Sequence, residues 1–217
     1  MKGGFRTDLR KKIIEEALIL FDKHGFHGVT VNQIVDKTGT SKGGFYHHFT
    51  SKDELLYVIH DEFITYALEK ATIANDTYTE PVKQLQAIIK DFVKTFDLYK
   101  SHISVFYQEN IYLKPEYEIR IKKKRDQFKQ IMINVLWEGK KAGEFRNDLS
   151  VEITTMAILG MVNWTYKWYK QSGSKSIDEI SSIYVDLILR AVLKTDSISA
   201  DTYSNLLLNT VKKDFSI

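Results

Sequence analysis

The chain has 217 residues, 43% of them hydrophobic, with two prolines (Pro81 and Pro115), eleven glycines and no cysteine. That length allows one large domain or two small ones, and so few helix breakers predict a nearly all-helical protein. The lack of thiols excludes disulfides and thiolate metal sites and fits a reducing, cytoplasmic home. Net charge is +3, yet residues 1–52 hold nine Lys/Arg against five Asp/Glu while the remainder holds 22 against 23. A basic head on a near-neutral body suits a phosphate-binding module joined to a separate control domain.

In chain order, Met1–Arg6 carries charge but no apolar run follows, so no signal peptide is expected. Residues 8–24 predict a helix, with Ile13, Ala17, Leu20, Phe21 and His24 at three- and four-residue steps. Gly25 ends it in a left-handed turn. Thr30-Val-Asn-Gln33 fits a capping box for a second helix over 31–37, closed by Gly39. Thr40 or Ser41 caps a third, about 41–47. Ser51-Lys-Asp-Glu54 opens a fourth over 51–70, through Leu55, Leu56, Val58, Ile59, Phe63 and Leu68. The polar, non-periodic stretch 75–79 marks a boundary. Further helices are expected at 80–98, 101–112, 115–141, 150–170 and 177–194, with Pro81 and Pro115 in first turns and a capping box at Ser176-Ile-Asp-Glu179. A weak last helix could cover 200–212. The longest nearly apolar run, Met156 to Val162, is far too short to span a bilayer.

The densest signal is Thr38-Gly-Thr-Ser-Lys-Gly-Gly-Phe-Tyr-His-His-Phe49, followed at once by the capped restart at Ser51. It has the build of a helix-turn-helix reading head. A recognition helix enters a major groove about 12 Å wide and brings side chains to base edges. Gly43 and Gly44 let its backbone come close, at about 1 kcal/mol of helix propensity each. Lys42 can bond guanine acceptors or a phosphate; Thr40 and Ser41 can bond a phosphate or a base edge. Lys52 can join the N-terminal amides of the fourth helix in holding a phosphate. Thr30 has a similar capping and phosphate-facing role, and Phe45 and Phe49 are expected in the core. Plain turns in a helical bundle would not call for Gly-Gly inside a short helix beside basic and aromatic donors.

Residues 8–60 resemble the N-terminal domain of the TetR family of bacterial and archaeal regulators. The resemblance rests on Ala17, Phe21, Gly25-Phe26, Thr30, Thr40-Ser-Lys-Gly-Gly-Phe-Tyr-His-His-Phe49, Ser51-Lys52 and Glu54-Leu55. It implies an all-α fold: an N-terminal three-helix helix-turn-helix domain (1–52, with helix 51–70 as connecting lever) and a helical effector-binding and dimerisation domain (53–217). It also implies phosphate contacts for Tyr46 and His47, although His47 could simply pack. The implied protein is a homodimer on palindromic double-stranded operator DNA, released by a small molecule. Two heads would bind half-sites about 34–36 Å apart. In the family two helices per subunit form the interface, here 150–170 and 177–194. The second has the stripe Ile180, Ile183, Tyr184, Leu187, Ile188 and Ala191, which serves internal packing equally well.

In Asn163-Trp-Thr-Tyr-Lys-Trp168, residues Trp164, Lys167 and Trp168 share a helix face by spacing. Two indoles beside an ammonium could stack on a planar ring and pair with phosphate. The segment is similar to one in the acyl-CoA-sensing branch of the family, which includes fatty-acid and steroid-catabolism regulators. Lys167 stands where those relatives often carry arginine, so a bidentate phosphate contact is not implied. An interface helix without a ligand role fits the same residues. Phe106 and Tyr107, with Phe92, Phe96, Ile103, Ile131, Val135 and Met156, could line an acyl tunnel or form ordinary core. The run Lys122–Arg125 reads as a solvated face, or as a phosphate site. A multidrug-type regulator would instead use aromatics and a buried carboxylate such as Glu109. No nucleophile elbow, His-Glu-x-x-His pattern or Gly-rich phosphate loop occurs, so no enzyme, metal, cofactor or membrane association is expected.

Overall fold

The computed structural model describes residues 4–194 together with Leu206. The expected helix over 200–212 and the tail 197–217 lie outside the described residues. The elements are α1 (Gly4–His24), α2 (Val31–Thr38), α3 (Lys42–His48), α4 (Lys52–Thr77), α5 (Pro81–Leu98), α6 (Lys100–Glu109), a 3-10 turn (Asn110–Tyr112), α7 (Pro115–Lys141), α8 (Val151–Asn163), α9 (Thr165–Trp168) and α10 (Ile177–Val192). The all-α expectation therefore holds. Among the described residues there is no strand, only an antiparallel bridge between Phe145 and Leu193, and no helix long and apolar enough to cross a membrane.

The chain forms two compact units. Among the described residues, the first takes those up to Tyr66 and Tyr99–Arg125; the second takes Ala67–Leu98 and those from Asp126 to Lys194. In the first unit, Ile13, Ala17 and Phe21 of α1, Ile34 of α2, Phe45 of α3, Phe49 and Leu55, Leu56 and Ile59 of α4 close one core, which Val105 of α6 joins. Emptying the space of a fully buried phenylalanine such as Phe21 or Phe45 costs roughly 3–5 kcal/mol. In the second unit α10 packs along α5. Val82, Leu85, Ile89 and Val93 are among the buried positions of α5, and Val185, Ile188, Leu189 and Val192 among those of α10.

Helix α1 starts at Gly4, before the expected residue 8, and three later stretches also depart from the sequence expectation. Helix α4 continues to Thr77, through the stretch expected to break. The buried Ala71 and Ala74 keep its inner face continuous across the polar Asn75–Thr77. The helix expected over 101–112 ends at Glu109 and tightens into the 3-10 turn, where Leu113 N–H donates to Asn110 O at 3.2 Å. The helix expected over 150–170 is interrupted at Trp164. The Trp164 N–H still reaches Gly160 O at 3.1 Å, but Lys167 N–H closes an i→i+3 bond to Trp164 O at 3.0 Å.

Candidate functional site

The first unit builds its surface from caps. Thr30 starts α2: its Oγ1 accepts the Gln33 N–H at 3.3 Å, and the Gln33 side chain accepts the Thr30 N–H at 2.7 Å. This reciprocal box satisfies two amide donors that a helix start leaves open. Gly39 ends α2 at φ 67°, a left-handed conformation that favours glycine. Ser41 then caps α3, its Oγ accepting the Gly44 N–H at 3.1 Å. Phe45 and Phe49 are buried and anchor α3 from below, whereas Ser41, Lys42, Gly43, Tyr46 and His47 are exposed. Lys42, Tyr46 and their neighbours Gly43 and His47 recur at four-residue spacing, so they share one outward face. Tyr46 is 52% exposed, with its ring edge-on to Phe45 at 5.3 Å.

The two glycines differ. A Cβ on Gly43 would meet nothing nearer than Ser41 Oγ at 3.6 Å, whereas one on Gly44 would overlap Thr40 Oγ1. Internal packing therefore accounts for Gly44 and leaves Gly43 unexplained unless something outside the chain approaches it. Thr40 is half-buried and Thr30 exposed.

Lys52 is placed differently from the other polar candidates. Its ammonium donates to the carbonyl oxygens of Phe26 at 2.6 Å and Val29 at 2.5 Å and lies 4.2 Å from the centre of the Phe26 ring. Burial lowers its pKa, an effect the adjacent Asp53 opposes. Its charge thus ties the first turn of α4 to the α1–α2 turn. Glu54 also closes this restart, accepting from the Thr50 N–H at 2.5 Å while Ser51 Oγ accepts the Glu54 N–H at 3.0 Å.

Helix α6 and the turn after it brace the same head. Ser104 Oγ donates to Asp22 at 2.9 Å. Tyr112 packs edge-on against His27 at 4.2 Å between ring centres, and Lys114 pairs with Asp53 at 3.4 Å. Glu62 of α4 joins Arg10 of α1 at 3.0 Å and His102 of α6 at 3.2 Å. Those two partners hold the Glu62 carboxyl below its usual pKa although burial pushes it up. In the run Lys122–Arg125, Lys124 turns inward to Asp61 and Thr65, both at 2.6 Å.

The effector candidates fall into two groups. Phe106 and Tyr107 belong to the first unit. Phe106 is buried with Ile64 and Ile121 in a small cluster flanked by Phe63 and Tyr107. Asn163, Trp164, Lys167 and Trp168 belong to the second. Trp164 and Trp168 are 61% and 45% exposed, and Lys167 lies over the Tyr166 ring at 4.9 Å. Met156, offered above as tunnel lining, is 57% exposed and faces away from its own core. With Ile153 it forms an outward apolar stripe on α8, matched on α10 by the exposed Ile183 and Leu187.

Sequence reasoning passed over His60. Its ring is 0% exposed, and neither nitrogen has a hydrogen-bond partner among the described residues. It meets the Phe106 ring edge-on at 5.0 Å. Burial, and after it the neighbouring His102, lowers its pKa to about 3. The signal was present: His60 follows Leu56 by four residues and precedes Phe63 by three, so it falls on the apolar face of α4.

Comparison with known proteins agrees with this arrangement. Residues 13–58 match the family described as "Bacterial regulatory proteins, tetR family". Residues 78–192 match "Tetracyclin repressor-like, C-terminal domain". The repressor KstR2 of Mycobacterium tuberculosis is 25% identical over 197 residues, covering 88% of this chain and 96% of that protein. The structure of the regulator PfmR from Thermus thermophilus superposes with a TM-score of 0.76 at 29% identity, covering 82% of this chain and 97% of that one. AibR, solved in complex with isovaleryl coenzyme A and operator DNA, shares the fold with a TM-score of 0.71 at 22% identity, covering 82% and 97%. With an outward polar face on a capped α3 and family matches over both halves, the chain belongs to the TetR family of transcriptional regulators.

Proposed function

We propose that this protein is a homodimeric, cytoplasmic repressor that binds a palindromic operator and is released by a small molecule, best an acyl-CoA thioester. The observation that carries the DNA half is the exposed face of α3 over its buried phenylalanines. Gly43 is proposed to approach base edges, with Lys42, Ser41, Thr40, Thr30, Tyr46 and His47 holding phosphates. Lys52 acts by fixing the turn under α2, and a direct phosphate contact from it would need that ammonium to leave two carbonyls. Residues 1–52 form the reading head in this scheme, helix 51–70 the lever, and 53–217 the effector and dimer part. The outward stripes of α8 and α10 are the proposed subunit contact, since exposed apolar stripes of this kind favour a second apolar surface.

The thioester reading draws on three points. Phe106 and Tyr107 offer aromatic contact for an apolar chain. The exposed Trp164, Lys167 and Trp168, with Asn163, offer indoles and an ammonium suited to a planar ring and phosphate, although the same exposure fits a subunit contact. KstR2 is described as a ketosteroid regulator, and AibR carries isovaleryl coenzyme A. A second reading, a multidrug-type sensor of cationic compounds, is favoured by one observation: the Glu109 carboxylate is buried.

The test has two arms. A duplex selected from a random pool by the protein serves as operator, and anisotropy measures its affinity with and without acyl-CoAs; native mass spectrometry records which thioesters are retained. Sequence-selective binding that weakens on adding a retained thioester is expected. Affinity that follows salt and ignores sequence would reject the repressor reading. Retention of aromatic cations in place of thioesters would transfer the sensor to the multidrug class.

A further inference from the structure

A histidine that is fully buried, uncharged and without a hydrogen-bond partner carries a cost that the fold does not need. An apolar side chain of similar size would fill the space, whereas each unsatisfied ring nitrogen is a buried polar group left without compensation. His60 is in this position: 0% exposed, with both nitrogens unpartnered among the described residues. The nearest polar network does not reach it, since His102 donates its interaction to Glu62.

Its surroundings are aromatic. The Phe106 ring lies 5.0 Å away, and Phe106 itself meets Phe63 at 5.1 Å and Tyr107 at 5.2 Å. These rings form a cluster separate from the main core of the head. The Phe106 ring against His60 comes from α6, a ten-residue helix whose first turn has no side-chain cap and whose last turn runs into the 3-10 segment.

We propose that His60 is the polar recognition group for the effector, and that the group it recognises is a neutral carbonyl or hydroxyl carried on an apolar chain or ring. A neutral imidazole offers one N–H donor and one acceptor lone pair. A carbonyl takes the donor, and a hydroxyl uses both. A neutral imidazole itself gives a carboxylate no countercharge. Phe63, Phe106 and Tyr107 supply the apolar contact beside the bond. This inference rests on the reading that the protein binds an effector, and it narrows the chemistry of that effector to a thioester carbonyl, a ketone or an alcohol.

The experiment uses the full chain labelled with 15N-histidine, which has six histidines. His60→Leu identifies the ring resonances of His60 by their loss, and His60→Gln keeps a donor and an acceptor. The probes are octanoyl-CoA, 2-decanone and 1-decanol, with affinities measured by calorimetry. The expected result is a shift of the His60 ring nitrogens with a binding probe. His60→Leu should weaken that probe about tenfold, the loss of one buried hydrogen bond, and His60→Gln should restore most of it. A probe that binds without moving His60, and binds His60→Leu equally, overturns the proposal while leaving the thioester reading standing. Response to the ketone or alcohol but not to octanoyl-CoA upholds His60 and removes the thioester reading. No response of His60 to any of the three overturns the proposal.

Discussion

Replacing His60 by leucine should flatten the acid side of this protein's stability curve. An ordinary histidine takes up its proton near pH 6.5, and burial in the folded chain lowers that to about 3. Between those values the unfolded chain binds a proton that the folded chain refuses, so stability is full above pH 6.5 and declines as the pH falls towards 3. At pH 5 the unfolded state is favoured by a factor of about 30 from this group alone, or about 2 kcal/mol, against almost nothing at pH 7.5. Leucine removes the proton site, and the other titrating groups are common to both proteins and cancel in the difference. It also removes two unsatisfied buried nitrogens, which should add about 1–3 kcal/mol of stability at neutral pH. The assay is urea unfolding of wild type and His60→Leu at pH 7.5 and pH 5.0, at one protein concentration because the stability of the proposed dimer would depend on it. Wild type should lose about 2 kcal/mol more than the variant between the two conditions. Equal losses would mean that His60 titrates normally and that its burial has been misread.

Lys52 and Lys42 should separate in salt titrations of operator binding. Lys42→Ala should lower the slope of log affinity against log salt by about one. Lys52→Met should leave that slope unchanged and instead lower folding stability by about 1–3 kcal/mol, because the Phe26 and Val29 carbonyls lose their donor. Gly43→Ala should gain up to about 1 kcal/mol of stability, as alanine favours helix, and yet bind DNA more weakly; circular dichroism and anisotropy read the two effects. Gly44→Ala should lower the melting temperature, since its methyl would overlap Thr40. If the proposed dimer forms through these stripes, Leu187→Glu should give a monomer in light scattering and cost operator affinity, with the helix content kept, because Leu187 faces away from its own core.

Local signals carried much of the architecture. The boxes at Thr30 and Ser176 form with both of their hydrogen bonds, and glycines 25, 39 and 143 adopt the left-handed turns that end helices. Capping is legible because it involves residues three or four apart, whose geometry the backbone alone dictates. Phe45 and Phe49 were legible as core for the same reason: apolar spacing on a short helix leaves them one inward face.

Other features depend on partners distant in sequence. Lys52 reads as a phosphate ligand from its place in a first turn, and only the approach of Phe26 and Val29, more than twenty residues earlier, turns its ammonium inward. The continuation of α4 through Asn75–Thr77 depends on what buries Ala71 and Ala74. Spacing put Trp164, Lys167 and Trp168 on one helix face; that the helix is interrupted at Trp164, and that Lys167 lies over the Tyr166 ring, was not legible from spacing. His60 lay in plain sight on an apolar face, and nothing local says whether such a ring finds a partner. The sequence by itself therefore determined the helices, their caps and the family to which the reading head belongs, since these follow from short-range geometry and a dense motif. Tertiary structure alone decided which charges are spent on the fold, which apolar faces stay outward, and which buried nitrogen is left unpaired, because each is settled by groups that only folding brings together.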